Sequence, residues 1–99
     1  MSKTILIVDD SLTMRQTMGF TLREAGFTVL EGNNGKEGLG QLDQAQPNLI
    51  ITDLNMPVMD GLEFIRQLRA RPACKYTPVL MVTTESDDSK KQEIGRAHV

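Results

Sequence analysis

Two apolar runs that each lead directly into acidic residues constrain the fold of this chain more than any other feature. The run 4–8 precedes Asp9 and Asp10, and the run 49–52 precedes Asp53. Apolar runs of this length without alternation are typical of strands covered on both faces, as in a parallel sheet. Ligands bind at the carboxyl ends of such strands. The pattern therefore predicts that the three carboxylates share one site.

The segments around these runs alternate between helix and strand signals. Asp10 or Ser11 can cap the first helix, and Gly26 is a typical residue at its end. The predicted elements are strand 4–8, a helix from about 11 to 25, strand 27–30, helix 36–45, strand 49–53, a helix from after Gly61 to about 70, strand 78–83 and a helix that begins at Ser86. This order predicts one α/β domain with a parallel sheet and right-handed crossovers.

Apolar positions at helical spacing indicate which face of each helix is buried. Leu12 and Phe20 lie off the predicted face of the first helix. The positions expected to pack against the sheet are Met14, Met18, Thr21, Leu22 and Ala25 in the first helix, Leu39 and Leu42 in the second, and Leu62, Phe64, Ile65 and Leu68 in the third.

The composition limits the classes of partner. The chain has 99 residues, enough for one small domain, and a net charge of −2. This charge provides no basic field for binding nucleic acid, and no apolar run is long enough to predict membrane insertion. The single cysteine, Cys74, lies in a predicted loop and has no second cysteine with which to form a disulfide. A reducing, cytoplasmic location is therefore expected.

The predicted cluster of carboxylates indicates a cation site. Three carboxylates that converge from two strand ends repel one another, and a hard divalent ion such as Mg²⁺ takes oxygen ligands and bridges carboxylates to phosphate. Beside such an ion, Asp53 could act as a nucleophile toward a phosphoryl group. Thr83, at the end of a neighbouring predicted strand, offers a hydroxyl for a phosphoryl oxygen.

Each part of this pattern also has an ordinary structural explanation. Asp9 and Asp10 could serve only as an N-cap with favourable charge at the start of a helix. The segment 55–57 could be only a turn, and Thr83 with Thr84 could be only the end of a strand. The functional interpretation depends on the combination of these features.

Three segments in register along the chain carry a joint pattern that is highly specific. They are Ile5-Leu6-Ile7-Val8-Asp9-Asp10-Ser11, Ile50-Ile51-Thr52-Asp53-Leu54-Asn55-Met56-Pro57-Val58-Met59-Asp60-Gly61 and Pro78-Val79-Leu80-Met81-Val82-Thr83. Together they resemble the receiver domain of two-component response regulators, in particular a stand-alone receiver of the chemotaxis type. The resemblance implies a flavodoxin-like, doubly wound parallel sheet of strand order 2-1-3-4, from which the fifth strand and fifth helix are missing.

The resemblance also implies a role for each residue of the candidate site. Asp53 would be the phosphoacceptor, Thr83 the switch hydroxyl, and Thr84 a residue that shapes access to the site. The ligands of Mg²⁺ would be Asp9, Asp10, Asp53 and the backbone carbonyl oxygen of Asn55.

The function implied by the resemblance is that of a signalling switch. The chain would accept a phosphoryl group from a histidine kinase, support its own dephosphorylation and act on a downstream target protein that the sequence does not identify. It would turn over no separate metabolite and would not be an enzyme. Two alternatives stay open: an inert receiver fragment, and an Asp-nucleophile phosphatase of the haloacid dehalogenase type, whose Asp-x-Asp motif is incomplete in Asp53-Leu54-Asn55.

The end of the chain departs from the receiver pattern. Receivers continue into a fifth strand, which carries an aromatic switch residue and a phosphoryl-contacting lysine, and then into a fifth helix. The stretch 93–99 instead resembles the translation of a sequencing-library adapter. We therefore expect an incomplete receiver domain over 1–93 and a non-native tail over 94–99. The fourth strand would then be an unprotected sheet edge, which predicts self-association through that strand or a largely molten chain.

Overall fold

A computed structural model of the chain describes residues 2–82. Four strands and three α-helices alternate, and a short 3₁₀ helix, Pro72–Cys74, precedes the last strand. The elements are β1 (Thr4–Val8), α1 (Leu12–Glu24), β2 (Thr28–Gly32), α2 (Gly35–Leu42), β3 (Leu49–Asp53), α3 (Gly61–Arg69) and β4 (Val79–Val82). The helix predicted from Ser86, the domain limit at 93 and the tail 94–99 lie outside the described residues and stay predictions.

The four strands form one parallel sheet in the order β2-β1-β3-β4. This confirms the predicted strand order and direction. Strand β2 begins at Thr28 rather than at residue 27, because the Phe27 amide still donates to the Leu22 carbonyl oxygen at the end of α1, at 3.0 Å. Within residues 2–82, no helix is long and apolar enough to cross a membrane.

Strand β1 contributes side chains to two hydrophobic clusters, one on each face of the sheet. Its side chains alternate between the faces, as the geometry of a strand requires. The larger cluster lies under α2 and α3 and contains Leu6, Val8, Ile50, Met56, Phe64, Leu68 and Cys74. The smaller cluster lies under α1 and contains Ile5, Ile7, Val29 and Ile51, with Met18 and Leu22 packed against it. The two clusters explain why β1 and β3 are apolar without alternation.

Polar residues fix the starts of the three helices. Ser11, Asn34 and Asp60 each accept a hydrogen bond in their side chain from the backbone amide three residues later, at 3.2, 2.9 and 2.9 Å. Such N-caps satisfy amides that have no partner inside the helix. Helix α1 ends before Gly26, whose φ of 97° suits glycine.

Several predicted details are wrong, some because of tertiary packing and one because of local hydrogen bonding. Thr21, Ala25 and Leu62 are exposed, since α1 contributes Met18 and Leu22 to the core and α3 contributes Phe64 and Leu68. Helix α2 ends at Leu42 instead of residue 45, because the amides of Asp43 and Gln44 donate three residues back, to Gly40 and Gln41. Cys74 does not lie in an open loop: it ends the 3₁₀ helix and is buried in the larger cluster.

Candidate functional site

The three predicted carboxylates meet at the carboxyl edge of the sheet. Strands β1 and β3 are neighbours in register, with Val8 opposite Thr52, so that Asp9 follows β1 beside the end of β3. Asp9, Asp10 and Asp53 each offer an oxygen, and these oxygens all lie within 4.8 Å of one another. The predicted convergence of the two strand ends is therefore confirmed.

The three carboxylates differ in burial. Asp9 is 1% exposed and Asp53 is 3% exposed, whereas Asp10 lies at the surface. A backbone amide orients each buried carboxylate: Ser11 donates to Asp9 Oδ1 and Leu54 donates to Asp53 Oδ1, both at 2.8 Å. The site therefore has two fixed acidic groups below the surface and one at its opening.

Burial raises the pKa of the Asp9 carboxyl above its ordinary value of 3.8, and the negative charges of Asp53 and Asp10 raise it further. The Ser11 amide and the Arg15 charge act in the opposite direction on this pKa. The ionised cluster is therefore electrostatically unfavourable by itself. Its donors are carboxylate oxygens, which suit a hard divalent cation such as Mg²⁺, and a cation would relieve the repulsion. The acidic cluster thus fits a metal ion.

Arg15 links the acidic edge to strand β2 and is a residue that the sequence analysis missed. Its Nη1 donates to the Asp9 carbonyl oxygen at 2.5 Å and to Asn33 Oδ1 at 3.0 Å, and its Nε donates to Glu31 Oε1 at 3.2 Å. The sequence contains no local signal for this network, because Glu31 lies 16 residues further along the chain.

The loop between β3 and α3 follows Asp53 closely. Asn55 is half-buried there, two residues after Asp53. The Gly61 amide donates to the Leu54 carbonyl oxygen at 2.8 Å, and a Cβ at residue 61 would lie only 2.3 Å from the Asp53 carbonyl oxygen. Glycine is therefore required at this position. Val58 has a φ of 70°, an unfavourable conformation for a β-branched residue, which the sequence analysis also missed.

The two predicted hydroxyl residues, Thr83 and Thr84, lie outside the described part of the chain. Strand β4 ends directly before them, and its last residue, Val82, is opposite Asp53 in the sheet. Their predicted roles stay predictions.

Comparisons with known proteins identify the family to which this site belongs. The family model described as the response regulator receiver domain matches residues 5–99. The chemotaxis protein CheY of Pseudomonas aeruginosa is 41% identical over 96 residues, which are 96% of this chain and 77% of that protein. The chemotaxis protein CheY1 of Helicobacter pylori strain J99 is 43% identical over 83 residues, which are 82% of this chain and 67% of that protein.

A solved structure supports the same assignment. The chemotaxis response regulator CheY4 of Vibrio cholerae superimposes with a TM-score of 0.82 at 43% sequence identity, covering 98% of this chain and 80% of that chain. The fold, the sequence similarity and the acidic edge of the sheet all support assignment to the same family. The chain belongs to the response regulator receiver domain family and is homologous to the CheY chemotaxis response regulators.

Proposed function

We propose that this chain is a phosphorelay switch that accepts a phosphoryl group from a histidine kinase on Asp53. The observation that carries the proposal is the position of Asp53. It ends β3, a strand with neighbours on both sides, and its carboxylate lies beside those of Asp9 and Asp10. On its other side, Val82 of β4 is opposite Asp53 in the sheet. We propose Thr83, the next residue in the sequence, as the switch hydroxyl and Thr84 as the access residue. A carboxylate acceptor beside an acidic pair that can hold a divalent cation suits phosphoryl transfer.

In the proposed step, a carboxylate oxygen of Asp53 attacks the phosphorus of a phosphohistidine on the kinase. A P–O bond forms, the P–N bond breaks, and the imidazole nitrogen keeps the electron pair and takes a proton. A Mg²⁺ ion held by Asp9, Asp10, Asp53 and the Asn55 carbonyl oxygen would offset negative charge on the phosphoryl oxygens. Attack by water on the same phosphorus then releases phosphate and restores the Asp53 carboxylate.

The orientation of Asp53 supports its role as the nucleophile. The Leu54 amide holds Asp53 Oδ1 at 2.8 Å, which restricts rotation of the carboxylate. The cluster surrounds Asp53 with like charges, so the ion would be needed before a phosphoryl group, itself an anion, could approach. Phosphorylation is therefore expected to depend strictly on a divalent cation.

Incubation with acetyl phosphate and Mg²⁺, followed by intact mass measurement, tests this proposal. We expect one added phosphoryl group per chain, lost in Asp53→Asn and when Mg²⁺ is chelated. Asp60→Asn is the matched control, because Asp60 lies in the same loop and asparagine can still cap α3. An adduct that persists in Asp53→Asn would contradict the assignment of the phosphoacceptor.

The same experiment distinguishes the alternatives. Release of many equivalents of phosphate from a substrate would indicate a phosphatase instead of a switch. No adduct on the wild-type chain, with Mg²⁺ present and a cooperative melting transition retained, would indicate an inert receiver fragment.

Two further parts of the proposal concern setting and association. We propose that the chain acts in the cytoplasm, a reducing setting that suits its unpaired, buried Cys74.

We also propose that it self-associates through the outer side of β4. Strand β4 pairs with β3 on one side only among residues 2–82, and Leu80 on it is exposed. Unpaired backbone groups on an apolar strand favour pairing with a second copy.

A further inference from the structure

The Arg15 side chain contacts a backbone carbonyl oxygen of the acidic edge and none of the carboxylate groups there. It lies on α1, and its side chain is 13% exposed. The shortest of its contacts is the 2.5 Å hydrogen bond to the Asp9 carbonyl oxygen. That oxygen belongs to the peptide unit that joins Asp9 to Asp10. Because a peptide unit is planar and rigid, a donor on its oxygen also restricts the direction in which residue 10 leaves it.

Other hydrogen bonds restrain the rest of this segment. The Asp9 amide donates to the Gly32 carbonyl oxygen at 3.1 Å, and the Asp9 carboxylate accepts from the Ser11 amide at 2.8 Å. The hydrogen bond from Arg15 restrains the Asp9 carbonyl oxygen as well. The amide, the carboxylate and the carbonyl of Asp9 are thus each bonded, so Asp9 is held at three points and the peptide unit that leads into Asp10 is fixed.

Glu31 controls the direction of the Arg15 guanidinium. Glu31 Oε1 accepts from Arg15 Nε at 3.2 Å, and Glu31 Oε2 accepts from Arg23 Nη2 at 3.2 Å. Asn33 accepts from the same Nη1 that bonds Asp9. The planar guanidinium therefore bridges the end of β1, the end of β2 and the loop after β2. A lysine, with one nitrogen on a flexible stem, cannot reproduce this fork.

We propose that Arg15 is a positioning residue that holds Asp9 and Asp10 in the arrangement that binds the divalent cation, with Glu31 as its counter-charge. This inference rests on the cation binding in the proposed function. It concerns how the ligands are held and adds no ligand to the site.

Positioning and simple charge effects predict opposite results for Arg15. As a positive charge near the acidic cluster, Arg15 repels Mg²⁺, so its removal should tighten binding. As a positioning residue, it keeps two carboxylates in place, so its removal should weaken binding. Loss of the groups that orient metal ligands typically lowers metal affinity about 10–100-fold.

Mg²⁺ titrations of the full chain, followed by amide chemical shifts, measure this effect. We expect Arg15→Met to weaken binding about tenfold. Arg15→Lys should also weaken it, because the charge stays but the fork is lost. Arg23→Met is the matched control, since Arg23 lies on the same helix and bonds the same Glu31 but not Asp9; its affinity should match the wild type. The Ser11 amide signal should move in Arg15→Met and not in Arg23→Met.

Two results would overturn the inference: an affinity in Arg15→Met equal to or tighter than the wild type, or full retention of affinity in Arg15→Lys. If Arg15→Met does not fold, Asn33→Ala removes one acceptor of the same fork at an exposed position, and a smaller loss of affinity is expected; no loss would count against the inference. Failure of the proposed cation site is a separate outcome. In that case the wild type and Asp10→Asn would respond identically to Mg²⁺.

Discussion

At the scale of single residues, Asp9 shows that the acidic cluster lowers the stability of the fold. Its surroundings disfavour its ionised form, because the side chain is buried and two other carboxylates are adjacent. The pKa of Asp9 in the folded state is therefore above its ordinary value of 3.8. Between the unfolded and folded pKa values, the folded state binds more protons than the unfolded state. The stability contributed by this group consequently falls as pH rises through that interval.

Asp9→Asn should stabilise the chain in the absence of divalent cations. Asparagine removes the unfavourable charge and keeps an oxygen that can accept from the Ser11 amide. At pH 7 we expect the free energy of unfolding to rise by about 0.5–2 kcal/mol. The gain should disappear at a pH below 3.8, where the aspartate is protonated in both states. Denaturant unfolding in EDTA, at pH 7 and at a pH below 3.8, measures this difference in the free energy of unfolding.

Asp10→Asn is the comparison for this prediction. Asp10 is exposed, so water screens its charge and the gain should be smaller. A lower stability of Asp9→Asn at pH 7 would show that the hydrogen-bonding geometry of the carboxylate outweighs its electrostatic cost. Both variants should lose Mg²⁺ affinity if the cluster is the cation site.

At the scale of elements, α2 approaches the sheet closely because glycine is present at its contact point. A Cβ at residue 38 would lie 2.8 Å from Phe64 Cε1 and 2.8 Å from Val8 Cγ2, both in fully buried side chains. A Cβ at residue 40, on the same helix, would meet no atom of another element within 4 Å. Gly38 and Gly40 therefore have the same helical backbone conformation, but other elements pack closely only against Gly38.

Gly38→Ala and Gly40→Ala should have opposite effects on stability. Alanine gains about 1 kcal/mol over glycine in a helix interior. At residue 38, overpacking of the core costs about 1–3 kcal/mol and outweighs this gain. At residue 40 the gain is retained. Thermal unfolding of the pair measures the difference, with a shift of about 4–8 °C expected per kcal/mol in a domain of this size.

Equal melting temperatures for the two variants would contradict this description of α2. A rise in both would mean that Phe64 and Val8 move aside at little cost. The larger hydrophobic cluster would then be less tightly packed than the distances around Gly38 indicate.

At the scale of the whole molecule, β4 is the outer strand of the sheet over residues 2–82. Its residues Val79–Val82 are all apolar, and Leu80 is 54% exposed. Charged residues and proline, which natural edge strands use against pairing, do not occur within this strand. The edge therefore accounts for the proposed self-association.

Leu80→Lys should weaken self-association without unfolding the domain. A lysine on an edge strand disfavours pairing with a second copy. We expect the association constant for dimerisation to fall about tenfold, which corresponds to about 1.4 kcal/mol of binding free energy. Sedimentation velocity over a concentration series measures it. Leu62→Lys is the control, because Leu62 is 63% exposed but lies on α3. An equal effect of both substitutions would indicate general hydrophobic association, and a monomeric wild type would refute the proposal.

Local sequence patterns determined the elements and the three carboxylates of the site. The apolar runs before Asp9 and Asp53 specify buried strands whose carboxyl ends are acidic, and parallel pairing then brings those ends together. Ser11 and Gly26 mark the limits of α1 by N-cap chemistry and by a left-handed backbone conformation. These features depend on neighbours in the chain or on strand periodicity, so they can be recognised without a structure.

Only the tertiary structure decided which of the acidic and apolar residues are buried, and what holds them. Asp9 is buried, and its amide bonds to the Gly32 carbonyl oxygen of β2, while adjacent Asp10 is exposed. The bonds of Arg15 to Asp9 and Glu31 join segments that are distant in sequence. Cys74 became part of the core because the 3₁₀ helix packs against α3. No local pattern encodes such contacts, since they depend on how separate elements pack together.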